Sequence, residues 1–341
     1  MPVVKQKTQK RLFLFFVAFT LVVIGIATLC LQMYRQSELL KNQGDALIKL
    51  NQPAEAIVFY KKAQSVFPLR SDLADDIAGA QLILQSKNDY ESITDFSEIQ
   101  TPPPLTNLPS VQLAPNELFV PVLMYHHIEI NPRPNDPLYA SLFVSPSQLD
   151  QQLAYFSTNN FHAITLDDMA NALDNKETLP PNPIVLSFDD GYQSFYDNAY
   201  PLLQKYHMKA IEFVITQVEG APAYLSWNEI KQMDQSGLVE FGAHTRHHPN
   251  LPDLSQAAII DEIQGSKNDL EQHLNHPVNW FAYPYGSYSS FIIQTVKDAG
   301  FKGAASTIYG ASQSKDNAYL FPRIMVDGRF SIDNIAKRIQ E

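Results

Sequence analysis

Residues 184–192 read IVLSFDDGY, and this stretch points to the fold class. Its first five residues form a run typical of a buried strand, which ends in Asp189 and Asp190 before Gly191 releases the chain. Successive side chains of a strand point in opposite directions, so the two carboxylates cannot share one role. One can bind a cation while the other accepts a proton. An Asp-Asp-Gly turn held by local hydrogen bonds is the alternative.

The same kind of strand recurs along residues 118–341, separated by helical patterns. This alternation and the number of units predict a parallel α/β barrel, in which chemistry lies at the carboxyl ends of the strands. The predicted strands are Phe119–Tyr125, Ile184–Phe188, Ala210–Thr216, Leu238–Ala243, Trp280–Tyr283 and Phe301–Ser306. The predicted helices are Pro146–Ser157, Ser194–Tyr206, Asn228–Ser236, Ser255–Leu274 and Phe291–Ala299.

A histidine cluster, HTRHHPNL, follows the predicted strand that ends at residue 243. His244 and His248 are four residues apart, so one helical turn would bring both imidazoles to one side. Pro249 disfavours helix at His248, and His247 remains an alternative second ligand. Two imidazoles and a carboxylate with open coordination positions suit Zn²⁺ or a similar divalent ion. The chain has one cysteine, so a thiolate cluster is excluded.

Three separated motifs, SFDDGY, HTRHHPNL and YPYG, occur in an order that resembles the NodB-homology polysaccharide deacetylases, carbohydrate esterase family 4. The resemblance covers nearly all of residues 118–341. It implies a distorted (β/α) barrel that removes acetyl groups from N-acetylated or O-acetylated glycans. Matched by position, it implies Asp190, His244 and His248 as the metal ligands and Asp189 as the catalytic base.

Two positions depart from the family pattern. The third motif usually begins with an arginine that pairs with the base, and Ala282 stands there; Arg323, in LFPRIMV, is the candidate replacement. The usual C-terminal Leu-x-His source of the acid is missing, because no histidine follows His276. The segment MYHHI resembles the permuted arrangement of poly-N-acetylglucosamine deacetylases. That resemblance implies His126 as the acid, with His127 on the opposite face of the strand.

The reaction implied is metal-dependent hydrolysis of N-acetyl groups on N-acetylglucosamine residues of a surface or cell-wall polysaccharide. A water on the ion attacks, Asp189 takes its proton and His126 protonates the departing amine. A backbone N–H near Tyr285 can donate to the oxyanion, and Tyr283, Tyr285 and Trp227 can stack on sugars, with core packing the alternative for Trp227. An O-acetyl esterase and a catalytically impaired glycan-binding scaffold are the competing functions.

Residues 12–34 carry no charge and lie between Arg11 and Arg35. As a helix they would span roughly 35 Å, enough to cross a bilayer. A retained anchor is favoured over the alternative of a cleavable signal, because the apolar run exceeds the usual length of a signal and no A-x-A site follows it. Four bases and no acid occur in the first eleven residues, which favours a cytoplasmic N-terminus. Residues 1–36 are therefore predicted as a basic tail and membrane anchor, with the catalytic domain in the periplasm or at the cell surface.

Residues 37–98 are predicted as a helical module that resembles one tetratricopeptide repeat over residues 37–70. Such a module can act as a spacer or dock a protein partner. The pattern rests on Gly44, Leu47, Ala56, Tyr60, Ala63 and Pro68. Residues 99–117 hold five prolines and predict an extended linker to the catalytic domain at 118–341.

The overall composition restricts the function further. The 341 residues carry a net charge of −11, which disfavours binding along a nucleic-acid backbone. An aromatic content of 11% excludes intrinsic disorder for most of the chain. A polysaccharide, rather than a nucleic acid, is the expected macromolecular ligand.

Overall fold

The structure is a computed structural model, and it describes residues 30–44, 53–68, 70, 73–74, 77, 81, 117–133, 136–218, 221 and 223–340. The chain divides into two compact units, Met1–Thr94 and Asp95–Glu341.

Among the described residues of the first unit, helices cover residues 30–44 and Pro53–Val66. They pack through small residues: Ser37 donates its hydroxyl to the carbonyl of Ala63 (2.9 Å), and a Cβ at Gly44 would lie 2.5 Å from the ring of Tyr60. The rest of the predicted helical module, residues 71–98, lies largely outside the described residues, and the tetratricopeptide assignment stays a prediction.

Within the described residues, no helix is both long enough and apolar enough to cross a bilayer. The predicted anchor at residues 12–34 lies outside the described residues except for 30–34. The anchor and the location that it implies therefore stay predictions.

The second unit is built on seven parallel strands that close into a barrel, so the predicted fold class is confirmed. In chain order the strands are β1 Val122–Tyr125, β2 Pro183–Asp190, β3 Ala210–Val214, β4 Val239–Ala243, β5 Trp280–Ala282, β6 Gly303–Tyr309 and β7 Phe321–Met325. Consecutive strands from β2 to β7 are neighbours, and β1 pairs with both β7 and β2 to complete the ring.

Helices surround the barrel and begin where the sequence offers caps. Four of them start with a Ser or Thr that forms a capping box with the residue three positions on. The helices of this unit are α1 Pro146–Thr158, α2 Leu166–Leu173, α3 Tyr200–Tyr206, α4 Trp227–Gln235, α5 Gln256–Leu274, α6 Ser290–Asp298 and α7 Ile332–Arg338. One turn of π-helix, Phe195–Ala199, precedes α3.

Short elements complete the unit. Glu117–Phe119 pairs antiparallel with Ser312–Ser314, His127–Ile128 pairs with Phe143–Val144, and His162–Ala163 lies along the start of β2. A helix covers Pro137–Leu142, and 3₁₀ turns cover Leu251–Asp253 and Pro284–Gly286.

Two hydrophobic clusters form the core. The larger lies between the strands and the surrounding helices, and the smaller fills the barrel interior, where Val185, Phe213 and Trp280 pack together. Residues of α2, including Met169, join the smaller cluster, so this helix covers the end of the barrel where β2 begins. At the opposite end of the barrel, β2 ends in Asp189 and Asp190, and loops surround these carboxylates.

The predicted strands correspond to β1–β6, with end shifts of up to three residues. β7 was not predicted, because Pro322 and Arg323 interrupt its apolar run and proline in a run argues against an interior strand. Helices α2 and α7 were also missed. These omissions matter because β7 delivers Arg323 to the barrel interior.

Glu240 of β4 generates a prediction about the pH dependence of stability. It accepts hydrogen bonds from Trp280 Nε1 (2.8 Å) and the Leu166 N–H (3.2 Å). Burial, together with the nearby charge of Asp167, raises the pKa of Glu240 to about 8. The folded state thus retains a proton that the unfolded state releases above about pH 4.3, so stability falls as pH rises towards 8.

The variant Glu240→Gln should lack this dependence, which for one group is on the order of 3 to 4 kcal/mol between pH 5 and 8. Urea unfolding at several pH values measures it, with the exposed Glu177→Gln as the matched control. Parallel stability–pH curves for Glu240→Gln and the unaltered protein would contradict the prediction.

Candidate active site

Three polar side chains converge where β2 and β4 end. His244 Nε2 lies 3.4 Å and His248 Nε2 lies 3.3 Å from the same oxygen, Oδ1 of Asp190. The candidate ligand atoms of all three residues lie within 4.8 Å of one another. The structure therefore brings together the residues predicted as metal ligands.

The His244 ring is fixed by the strand next to its own. Its Nδ1 is 2.8 Å from the carbonyl oxygen of Ala282 in β5, which can only accept, so Nδ1 carries a proton and the ring turns Nε2 towards Asp190. Ala282, the position where the related family usually has an arginine, thus contributes a backbone acceptor that orients a candidate ligand.

His248 is positioned by a turn instead of a strand. Thr245 and His248 have φ values of +66° and +57°, and the N–H of His248 donates to the Thr245 hydroxyl (3.0 Å). This turn is not the helical turn considered from the four-residue spacing. The His247 side chain points away from Asp190, and 59% of it is exposed. Its Nδ1 lies 2.7 Å from Glu262 Oε1.

The donor set fits a divalent cation. In a tetrahedral site with bonds of about 2.1 Å, two ligand atoms are about 3.4 Å apart, which matches both distances to Asp190 Oδ1. The outward nitrogen of His244 is held by a carbonyl, the outer-shell arrangement that metal-bound histidines use. Two imidazoles and one carboxylate accept Zn²⁺ and several other first-row metals.

Asp189 faces the barrel interior and pairs with Arg323 of β7. Arg323 Nη1 and Nη2 donate to Oδ1 (2.7 Å) and Oδ2 (2.8 Å) of Asp189, and neither side chain is more than 4% exposed. Arg323 also donates to the Ser306 carbonyl through Nε (2.8 Å) and to Ser187 Oγ (3.2 Å). Arg323 therefore contacts Asp189 and is too buried to bind substrate directly.

The ion pair sets the protonation of Asp189. Burial alone would raise the pKa of Asp189, but the charge and hydrogen bonds of Arg323 outweigh burial and hold that pKa below its usual value. Asp189 is therefore ionised at neutral pH. Each of its oxygens accepts from Arg323 and retains a further lone pair that can accept another proton.

His126 follows β1 at the same end of the barrel. Burial lowers the pKa of His126, and the nearby charges of Asp189 and Asp190 partly oppose that effect. Its Nδ1 is buried without a hydrogen-bond partner among the described residues. The neighbouring His127 stacks between Phe143 and Tyr192, with ring centroids 4.1 and 3.6 Å away.

The aromatic residues predicted to stack on sugars differ in exposure. Tyr285 is 66% exposed, and its ring meets that of His248 edge-on at 4.5 Å. Tyr283 is 1% exposed and donates its hydroxyl to the Tyr319 carbonyl, so the predicted sugar contact of Tyr283 is wrong. Trp227 stacks on His273 at 3.8 Å, which favours the packing alternative.

Sequence reasoning missed two buried carboxyls. Glu212 of β3 accepts the Gly191 N–H (2.8 Å), and burial, reinforced by Asp189 and Asp190, raises its pKa well above the usual value. Glu262 of α5 accepts two backbone N–H groups from the turn before His248. Neither residue lies in a motif, and only the packed structure brings them to the site.

Comparison with known proteins agrees with the fold and with the enzyme class. The sequence profile of the polysaccharide deacetylase family matches residues 176–304. A poly-beta-1,6-N-acetyl-D-glucosamine N-deacetylase of Staphylococcus aureus is 30% identical over 196 residues, covering 54% of this chain and 67% of the relative.

Two solved structures are similar to the barrel. The Streptococcus pyogenes deacetylase PplD in complex with acetate has 31% identity and a TM-score of 0.59, covering 64% of this chain and 97% of that one. IcaB from Ammonifex degensii has 24% identity and a TM-score of 0.56, covering 65% and 97%, and supports the fold alone.

The barrel and its Asp-His-His cluster thus define a deacetylase of the NodB-homology class. The chain belongs to the polysaccharide deacetylase family. The predicted enzyme class, a hydrolase that deacetylates polysaccharide, is confirmed.

The geometry predicts which substitutions remove metal. Asp190→Ala, His244→Ala and His248→Ala should each leave the purified protein without stoichiometric metal, because each deletes a ligand atom of the cluster. Asp189→Asn and His247→Ala should retain it. Elemental analysis after dialysis measures the content, and full occupancy in the His248→Ala variant would contradict the ligand assignment.

Proposed function

We propose that this protein is a metal-dependent deacetylase that removes N-acetyl groups from N-acetylglucosamine residues of a surface or cell-wall polysaccharide. The observation that carries the proposal is the adjacency of two carboxylates with different partners. Asp190 faces His244 and His248, whereas Asp189 is held ionised by Arg323. The substrate follows from the named activity of the Staphylococcus aureus relative.

Asp189 serves as the general base. A divalent ion held by Asp190, His244 and His248, most simply Zn²⁺, would polarise the acetyl carbonyl and lower the pKa of a water from about 15.7 towards about 7. Asp189 accepts the proton of the attacking water, and Arg323 keeps its carboxylate ionised and in one orientation.

His126 serves as the general acid. An amine leaves an amide readily only when it is protonated, so the reaction needs a donor at the nitrogen. Burial lowers the pKa of His126, which makes its protonated form a stronger acid than an exposed histidine. His127 is held between two aromatic rings and takes the structural role.

Tyr285 lies where a sugar would approach. Its exposed ring touches His248, so an acetylated residue at the Asp-His-His cluster would pass beside this ring. Aromatic faces pack on the apolar faces of sugar rings, and the backbone N–H of Tyr285 is the candidate donor to the developing oxyanion.

The remaining parts of the chain are assigned by the same proposal. Residues 1–36 anchor the protein in a membrane with the catalytic domain at 118–341 outside the cytoplasm, and the linker at 99–117 lets that domain reach polymer. The helical module at 37–98 is a spacer or binds a protein partner. These assignments rest on the charge and composition patterns of the sequence.

Acetate release from N-acetylglucosamine oligomers by the full-length protein tests the proposal. We expect release that a chelator abolishes and Zn²⁺ restores, and a loss of at least about 100-fold in Asp189→Asn and His126→Ala with metal retained. His127→Ala is the matched control for His126. Release from O-acetylated glycan only would favour the esterase alternative, and glycan binding without any release would favour the scaffold.

The Arg323–Asp189 pair also predicts a pH effect. Arg323→Lys keeps the charge but loses the two parallel hydrogen bonds, so the pKa of Asp189 rises and the base is protonated at a higher pH. The acidic limb of kcat/KM should move up by about one pH unit. Arg329→Lys is the control, because the Arg329 side chain is 59% exposed and pairs with Asp327, away from Asp189. An acidic limb of kcat/KM that does not move in Arg323→Lys would contradict this prediction.

A further inference from the structure

We propose that Glu262 of helix α5 is a positioning residue that aims the His248 imidazole by holding the turn at residues 245–248. The inference rests on the proposed role of His248 as a metal ligand. It concerns a residue outside the three sequence motifs.

The Glu262 carboxylate makes three contacts with this turn. Its Oε2 accepts the N–H groups of Arg246 (2.9 Å) and His247 (3.0 Å), and its Oε1 is 2.7 Å from His247 Nδ1. Glu262 is 8% exposed, so these bonds are shielded from water. Bonds between backbone donors and a buried carboxylate are among the stronger ones in proteins. One side chain thus holds the N–H groups of the two residues before His248.

The turn needs such support because its backbone is strained. Thr245 and His248 both lie in the left-handed region, which is unfavourable for residues other than glycine. The hydroxyl of Thr245 accepts the His248 N–H, but that bond lies within the turn and does not attach it to the barrel. The carbonyl groups of Thr245 and Arg246 accept the N–H groups of Thr216 (3.2 Å) and Gln217 (2.9 Å), so the turn is also tied to the chain that follows β3. Glu262 holds the N–H groups of Arg246 and His247. Without Glu262 these two N–H groups lose their acceptor, the part of the turn next to His248 can relax, and His248 Nε2 would shift from its position 3.3 Å from Asp190 Oδ1.

The other contacts between the turn and α5 involve the side chain of Arg246. Arg246 lies across Gly265, where a Cβ would be 2.5 Å from its Cδ, and pairs with Asp269 (3.2 Å) and Asp261 (3.3 Å). Asp261 is 65% exposed, and an exposed pair of this kind contributes little. Asp261 is therefore the matched control, because it lies on the same helix and contacts the same turn but makes no hydrogen bond to the backbone of the turn.

His244 does not depend on Glu262. It continues from β4, donates its N–H to the Val214 carbonyl (2.9 Å) and is oriented by Ala282. Loss of Glu262 should therefore weaken one ligand of three. Removal of an outer-shell partner typically lowers metal affinity about 10- to 100-fold.

The experiment compares Zn²⁺ affinity, by competition with a chelator, and the visible spectrum of the Co²⁺-loaded protein, in full-length variants. Glu262→Leu deletes both acceptor oxygens at similar volume and should bind Zn²⁺ about 10- to 100-fold more weakly with an altered Co²⁺ spectrum. Glu262→Gln keeps an acceptor oxygen for the two N–H groups and should restore most of the affinity. Asp261→Asn should match the unaltered protein.

Several outcomes would overturn the inference. One is a Glu262→Leu variant, folded by circular dichroism, with unchanged Zn²⁺ affinity and Co²⁺ spectrum. Should Glu262→Leu not fold, a Glu262→Gln variant that binds Zn²⁺ no better than His248→Ala overturns it equally, since Gln retains the acceptor. Acetate release from the same samples separates the two proposals. Unaltered protein that binds Zn²⁺ but releases no acetate contradicts the proposed function and leaves the positioning role supported by the affinities.

Discussion

The ion pair between Arg323 and Asp189 is the interaction on which the active end of the barrel depends. Both side chains lie inside a closed ring of strands, where an unpaired charge would be far more costly than in water. Arg323 donates through Nε to the Ser306 carbonyl, and its two terminal nitrogens donate to the Asp189 carboxylate. One of these nitrogens also donates to Ser187 Oγ. Since β1 lies between β7 and β2, the pair joins two strands that do not hydrogen-bond to each other. The arginine therefore stabilises barrel closure and keeps Asp189 ionised through the same contacts.

The residues around Asp190 show a second constraint, which is backbone strain. Asp190, Thr245, His248 and Tyr285 all have positive φ, although none is glycine. Strained residues persist where surrounding contacts over-determine them, and they cluster at functional sites. Here the supporting contacts come from helices and strands that carry no motif: Glu212 holds the Gly191 amide after Asp190, and α5 holds the turn before His248. The residues of the cluster thus lie on strained backbone, and contacts from the surrounding residues hold that backbone in place.

The sequence predicted the parts of this molecule that depend on short-range pattern. Six barrel strands follow from apolar runs, and the residues at the ends of β2 and β4 converge because parallel strands end at one edge. Burial was harder to anticipate. Tyr283 and Tyr285 sit two residues apart in one motif, yet one is enclosed and the other exposed, because the left-handed Tyr285 turns the chain outward. Glu262 is separated from His247 by fifteen positions along the chain. Its helical spacing from Ile259 and Ser266 places it on the buried face of α5, but that spacing does not show which backbone groups it meets there.

The position of Arg323 in the barrel, beside Asp189, matters more for its contact than its position along the sequence. The related family usually places its arginine where Ala282 stands, at the end of β5, and β5 and β7 flank β6 at the same end of the ring. A guanidinium entering from either strand can reach the interior carboxylate, so the topology offers two chain positions for one charge. Ala282 keeps its backbone task, because the bond to His244 uses a carbonyl that any residue supplies. The small side chain at 282 then leaves the interior to Phe213, Trp280 and Phe321, and the aromatic ring of Phe213 lies 5.7 Å from the Arg323 guanidinium. In this protein Asp189 is thus paired with an arginine from β7, whereas the family resemblance places that arginine at position 282, at the end of β5.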